Sequence, residues 1–402
     1  MNTKYIHIGK STILWEKASF SRVFKFLKNN SLSRAELSDG NGNVKNIHYG
    51  DILIKFSECL YTDEGNNIPY IINDNIAYKL LKLSPLINGD IVFADAAEDN
   101  TVGKCIEIIT HNNTDLVAGL HTIPCRPTIK FAEGYLGYYL NSTAYHNQLL
   151  QYIQGTKISS ISKKSICQTI ISYPSEIINQ QKIASYFQSL DSLIQSTSKK
   201  LASLKQIKAA SLQSMFPQEG ETVPKVRFKG FEGEWKYEIL GRISSISIGE
   251  FVIQTKQRAN APYPVYNGGI TNTGYYDYFN QEGPKIIISA RGANAGFINK
   301  YENRFWAGNS CYSIGINNNN WEFIYYFLQS KQDSYLKKQQ AANIPSISKK
   351  QIYTTNVLLP CYNEQIKIGL FFSNLDKQIS LQAQRLEKLT QIKAACLDKM
   401  FV

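Results

Sequence analysis

The chain has 402 residues, is 43% hydrophobic and 19% charged, and carries a formal net charge of +12. That composition belongs to a globular protein long enough for two to four domains, and it excludes a disordered or fibrous chain. No apolar run reaches the 18 residues of a membrane span and the N-terminus lacks a signal-peptide core, so a cytoplasmic protein is expected.

Residues 1–174 read as a first α+β domain. Short β-rich runs between Gly, Asn and Asp turns predict strands at 51–55, 90–94, 104–109 and 128–131. Aromatics at helical spacing predict a helix over 135–149. A long helix follows over 175–216, with Ser175 as N-cap and Pro217 as its stop. After a linker at 217–225, residues 226–360 read as a second α+β domain. Its predicted strands are 263–266, 285–289, 296–299 and 311–316, and a helix is predicted over 321–335. A second long helix, capped by Asn363, fills 361–402.

Comparing the chain with itself is the most informative step. QKIASYFQSLDSLIQSTSKKLASLKQIKAASLQSMF at 181–216 matches IKIGLFFSNLDKQISLQAQRLEKLTQIKAACLDKMF at 366–401, with a constant offset of 185 residues. ISSISKKSI at 158–166 matches IPSISKKQI at 344–352 with an offset of 186, which Pro174 and Pro360 keep. So many identities at a fixed offset mark a duplication. Each half ends in a Ser/Lys-rich loop, a short strand, a proline and a long helix.

Along the first helix Ile183, Phe187, Leu190, Ile194, Thr197, Leu201 and Leu204 advance in alternating steps of four and three. Ile368, Phe372, Leu375, Ile379, Gln382, Leu386 and Leu389 repeat those steps on the second. This is a coiled-coil seam, and it predicts that the two helices pair as an antiparallel rod with a domain at each end. Each seam is interrupted once at the same place, by Thr197 and by Gln382. The two heads differ in sequence while their ends agree, the pattern expected if one scaffold carries two readers.

Catalytic constellations were sought and rejected. Asn67-Ile68-Pro69-Tyr70 is a partial match to an adenine methyltransferase tetrapeptide, but no glycine-rich cofactor loop precedes it. Gly9-Lys10-Ser11 lacks the first glycine and preceding strand of a P-loop. Glu234-Trp235-Lys236 has the form of a nuclease half-motif but lies in VRFKGFEGEW, which reads as a lead-in to the second head. All five histidines fall in the first head, without metal-ligand spacing, and no two of the seven cysteines form a CxxC pair. The basic balance points to a polyanionic partner. It is concentrated in residues 226–358, where 15 basic residues face 9 acidic ones.

These words and this architecture resemble the specificity subunits of type I restriction-modification systems. The resemblance rests on GNVKNIHYGDILIKF (42–56), GDIVFADAAED (89–99), VRFKGFEGEW (226–235), YPVYNGGITNTGYY (263–276), the paired SISKK loops and the QIKAA helices. It covers essentially the whole chain. One departure is visible: no RFxGFxGEW-like segment precedes the first head.

The resemblance implies two target recognition domains alternating with two spacer helices and binding double-stranded DNA. It further implies partnership with two methyltransferase subunits and with restriction (motor) subunits. S-adenosylmethionine and ATP would be bound by those partners, with no cofactor on this chain and no catalysis by it. The competing reading, a single-chain methyltransferase or nuclease with fused recognition domains, finds no segment left to house its active site.

Candidate DNA contacts follow from polar groups among glycines. In the second head these are Tyr266, Asn267, Arg291 and Asn294, with Arg291 suited to bidentate pairing with guanine; Tyr266 and Asn267 are read equally well as a turn. In the repeated loops they are Lys157, Ser160, Ser162, Lys163 and Lys164, and Ser346, Ser348, Lys349 and Lys350. Three roles are open for these loops: phosphate contact, docking of the methyltransferase subunit, or solvated helix starts.

Overall fold

A computed structural model describes residues 4–8, 11–63, 67–112, 114–155, 157–337 and 345–402. It divides into two compact units, residues 1–196 with 385–402 and residues 197–384. The long helices are continuous, Ile177–Ser214 and Tyr362–Lys399, and each contributes one part to each unit.

The first unit is built on a five-stranded sheet. Its order is Phe24–Phe26, Thr122–Pro127, Ile91–Ala94, Cys105–Ile109, Cys59–Tyr61. Ile91–Ala94 and Cys105–Ile109 are buried at every position, as strands covered on both faces must be. A four-stranded sheet orders Leu116–Ala118, Lys45–Ile47, Tyr70–Ile71 and Leu37–Ser38. Ser11–Ser19 pairs with Ile170–Pro174, matching Trp15 with Pro174. The main core gathers Trp15, Phe20, Phe93, Tyr135, Tyr138, Tyr139 and Tyr145 with Ile183, Phe187 and Leu190 of the first long helix and Phe401 of the second.

Four expectations are corrected here. Residues 51–55 are not a strand but part of the helix Tyr49–Ile54. His48 Nδ1 caps that helix by accepting the Gly50 N–H, and Arg34 and Lys55 hold Asp51 in its first turn. Residues 128–131 are irregular; the strand lies earlier, at Thr122–Pro127, disguised by Pro124 and Pro127. The helix expected over 135–149 is two, Tyr135–Leu140 and Thr143–Leu150. Asn141 breaks it by bonding both backbone groups of Cys105, and Ser142 caps the next turn. Ser175 is no cap: it extends the sheet to Leu14, and the helix starts at Ile177.

The second unit places Ser244–Ile248, Cys311–Ile316, Lys285–Ser289 and Ile298–Tyr301 in one antiparallel sheet. Beside it, Gly274–Tyr276, Tyr263–Tyr266 and Trp306–Ala307 form a three-stranded sheet. The strand expected at 296–299 is displaced to Ile298–Tyr301, because Gly296 sits in a turn at φ +85°. The helix expected over 321–335 ends at Ser330 and restarts as Gln332–Lys337. Asn363 lies inside its helix, whose first free N–H groups, on Glu364 and Gln365, bond the Cys361 carbonyl.

The lead-in VRFKGFEGEW is a clasp on the second long helix. Arg227 makes a two-pronged 2.7 Å ion pair with Glu364, whose carboxylate is fully buried, and also donates to the carbonyls of Glu232 and Gly233. Phe228 packs against Phe371, and Trp235 against Phe216 and Phe323. One helix repeat back, the residue equivalent to Glu364 is Asn179. The first half therefore lacks both the arginine and its acid.

The duplication is visible within each unit. Phe187 stacks on Phe401 in the first and Phe372 on Phe216 in the second, both at 5.7 Å between ring centroids. Gln180 donates to the Pro174 carbonyl and Gln365 to the Pro360 carbonyl. Tyr138 donates to Asp191, which pairs with Lys393; Tyr326 donates to Asp376, which pairs with Lys208. Lys208 and Lys393 each lie four residues beyond the last seam leucine, Leu204 and Leu389. The two lysine sites are unequal, because Lys393 also pairs with Glu58 at 2.5 Å. Every named seam residue is buried or partly buried.

Candidate nucleic-acid interface

Each head carries one station where a core strand runs into a loop and the repeated Ser/Lys loop is hydrogen-bonded along it. In the first head the strand is Ile91–Ala94. The residues after it pair with the repeat, Ser160 opposite Ala96 and Ser159 opposite Ala97. The Ile161 N–H donates to the Asp95 carbonyl at 2.9 Å. In the second head the strand is Lys285–Ser289. Arg291 is bridged to Ser346, and the Ile347 N–H donates to the Ala290 carbonyl, again at 2.9 Å. Ile161 and Ile347 are 186 residues apart, the offset of the repeat. Backbone register therefore equates Asp95 with Ala290 and Ala96 with Arg291.

This explains part of the repeat. Ser162 caps the short helix Lys163–Ile166 by accepting the Ser165 N–H, and Ser348 caps Lys349–Tyr353 by accepting the Gln351 N–H. Those two serines are helix starts. The lysines are not explained so: Lys163 and Lys164, like Lys349 and Lys350, stand exposed in a first helical turn, where the helix dipole disfavours cations by some tenths of a kcal/mol. Lys163 lies over the Phe26 ring. Lys157 is exposed. Asn343, the start of the second loop as read from sequence, lies outside the described residues.

All four candidates of the second head come together. Arg291 is exposed and follows the strand directly. Asn294 lies in the same turn, where its carbonyl accepts the Phe297 N–H. Gly268, at φ +78°, comes so close to the Arg291 carbonyl that a Cβ there would lie 3.0 Å from it. Only glycine suits that position. Asn267 accepts the Ser310 N–H, and the Tyr266 ring packs against Tyr301 and Phe305. Burial pushes the Tyr266 phenol up to about 12. Tyr266 and Asn267 thus shape the loop, while Arg291 is the group presented to solvent.

In the first head the sequence reading named only the repeated loop. The structure adds Asp95, His121 and Tyr49. Asp95 lies 3.2 Å from His121 Nδ1 and its N–H donates to the His121 carbonyl. His121 has φ +53°, and its ring meets the edge of Tyr49 at 5.2 Å. No spacing signal links residues 49, 95 and 121; only the fold does. Among the described residues no cluster of His, Cys, Asp and Glu could hold a metal, and no helix is long and apolar enough to cross a membrane.

Two heads that differ in sequence, each tied to the same duplicated loop and long helix, define a two-part recognition protein. The family model for the type I restriction modification DNA specificity domain matches residues 13–206 and again 232–391. The chain belongs to this family and is a non-catalytic DNA specificity subunit. It is 22% identical over 281 residues to a putative type I specificity subunit of Mycoplasma genitalium, covering 69% of this chain and 72% of that one. Its fold is shared with the crystal structure of a type I restriction-modification S subunit from M. genitalium: TM-score 0.68, 16% identity, 99% of this chain and 98% of that one. A chain from a structural study of complex assembly and conformational transition in the type I system is also similar, with TM-score 0.53, 16% identity, and 96% and 97% coverage.

Proposed function

We propose that this chain reads a bipartite, asymmetric double-stranded DNA site, one half with each head. It directs adenine-N6 methylation or ATP-dependent cleavage by its partners: two methyltransferase subunits, which bind S-adenosylmethionine, and restriction subunits, which bind ATP. The observation that carries this reading is the doubled station. A variable loop and an invariant basic loop are hydrogen-bonded together in both heads, which suits base readout beside sequence-independent phosphate contact. Arg291 pairs with guanine through its two-pronged guanidinium, with Asn294 beside it. The exposed lysines of the repeated loops meet phosphates.

The two long helices pair antiparallel as a coiled-coil spacer between the recognition domains at 1–174 and 226–360. Their strict 4/3 seam, buried or partly buried at each named position, supports this. Inserting or deleting one heptad in both helices then moves each head by about 10 Å, or about 3 base pairs. Sequencing the methylated motif in cells carrying each length variant tests it. The gap between half-sites should change while both half-site sequences persist. A constant gap refutes the spacer, and loss of any defined motif in the wild type refutes the reading as a whole.

A further inference from the structure

The two stations are alike in backbone and opposite in chemistry. The residue bridged to the serine loop is Arg291 in the second head and Ala96 in the first. A methyl group cannot read an amino or carbonyl edge by hydrogen bonding, so the polar group at the first station must come from beside it. Asp95 is that group. Its side chain is about one-quarter exposed, and Oδ1 faces His121, which leaves Oδ2 for a ligand.

His121 is held in a conformation that non-glycine residues seldom adopt. Its carbonyl accepts the Asp95 N–H while its half-exposed ring sits between the Asp95 carboxylate and Tyr49. Backbone strain of this kind costs of order 1–3 kcal/mol and gathers where a side chain must be aimed. His48 packs on Tyr49 from the other side at 4.6 Å, so the cluster is braced by the helix Tyr49–Ile54. Lys157, Lys163 and Lys164 follow on the loop paired with this station, and they offset the repulsion between a carboxylate and nearby phosphates.

We infer that Asp95, aimed by His121, is the base-reading group of the first head and takes the exocyclic amino group of cytosine in the major groove. A carboxylate accepts hydrogen bonds only, and cytosine N4 presents a donor there. The first head then requires a C·G pair at one position of its half-site, as Arg291 requires a G·C pair in the other half. His121 is a positioning residue. This inference rests on the heads being DNA readers.

The test uses the chain assembled with its methyltransferase subunit. The methylated motif is sequenced in cells, and methylation rates are measured on oligonucleotides varied one base pair at a time. Asp95→Ala should lower discrimination at one position of one half-site by about tenfold to a hundredfold and leave the other half unchanged. Asp95→Asn, nearly the same shape, should shift preference at that position toward adenine, which asparagine pairs through N6 and N7. His121→Gly relieves the backbone strain yet should weaken the same discrimination. Wild-type motif and rates in both Asp95 variants overturn the assignment of Asp95. Full discrimination in His121→Gly removes the positioning role. A wild-type assembly that methylates no defined site overturns the DNA-reading function itself.

Discussion

Replacing Lys393 by methionine isolates what the buried lysine of the second helix contributes to the first unit. Its Nζ lies 2.6 Å from Asp191 and 2.5 Å from Glu58, and the Lys393 and Glu58 side chains are only 14% and 15% exposed. Tyr138 donates to Asp191 at 2.7 Å and carries the lysine over its ring. Methionine fills the volume but leaves two poorly hydrated carboxylates without a counter-charge. Losing one partner of a buried ion pair costs about 3–5 kcal/mol. For a unit of this size each kcal/mol moves the melting temperature by about 2–4 °C, so a drop on the order of 10 °C is expected.

The matched variant Lys208→Met abandons a single carboxylate, Asp376, and should cost less, about 1–3 kcal/mol. The assay is hydrogen exchange through a thermal ramp, read on the helix Tyr135–Leu140, so that the two units are not averaged. Adding Glu58→Gln and Asp191→Asn to Lys393→Met should restore most of the loss, since a neutral network carries no stranded charge. Burial opposes the Lys393 charge, but Glu58 and Asp191 outweigh it and raise its pKa. The lysine's contribution should therefore be full below the ordinary lysine range and fade as pH rises through the raised value. A Lys393→Met drop under about 2 °C, or one equal to that of Lys208→Met, would refute this reasoning.

Arg227→Ala should destabilise the second unit by about 3–5 kcal/mol through the stranded Glu364, while Arg227→Ala with Glu364→Gln recovers part of it; denaturant melts of the four proteins form the cycle. Glu107 is fully buried, and burial pushes its carboxyl up to about 7 although the Gly134 and Gly137 N–H groups favour its charged form. The folded chain then holds a proton that the unfolded chain has released between about pH 4.5 and 7. Stability of the first unit should fall across that window as pH rises, and Glu107→Gln should abolish the slope while costing about 1–3 kcal/mol for one lost backbone bond. Replacing Lys163 and Lys164 together by alanine should weaken all DNA alike and flatten the salt dependence of binding by about 1–2 units, measured by titration at several ionic strengths; an unchanged slope removes these lysines from the phosphate contacts.

The sequence by itself determined the duplication, the seam positions and the second-head strands at Tyr263–Tyr266, Lys285–Ser289 and Cys311–Ile316, because periodicity and self-similarity are one-dimensional signals. It misread residues 51–55, where an apolar run looks alike in a strand and in a short helix and the deciding partners, His48 and Arg34, act through capping and an ion pair. It found Arg291 because an arginine among glycines stands out locally. It did not find Asp95, His121 and Tyr49, which lie on three separate elements. It could not tell that the repeated serines serve as strand partners and caps while the lysines beside them stay free of that work. Those assignments depend on which backbone groups meet across 60 or more residues, and only tertiary packing decides that.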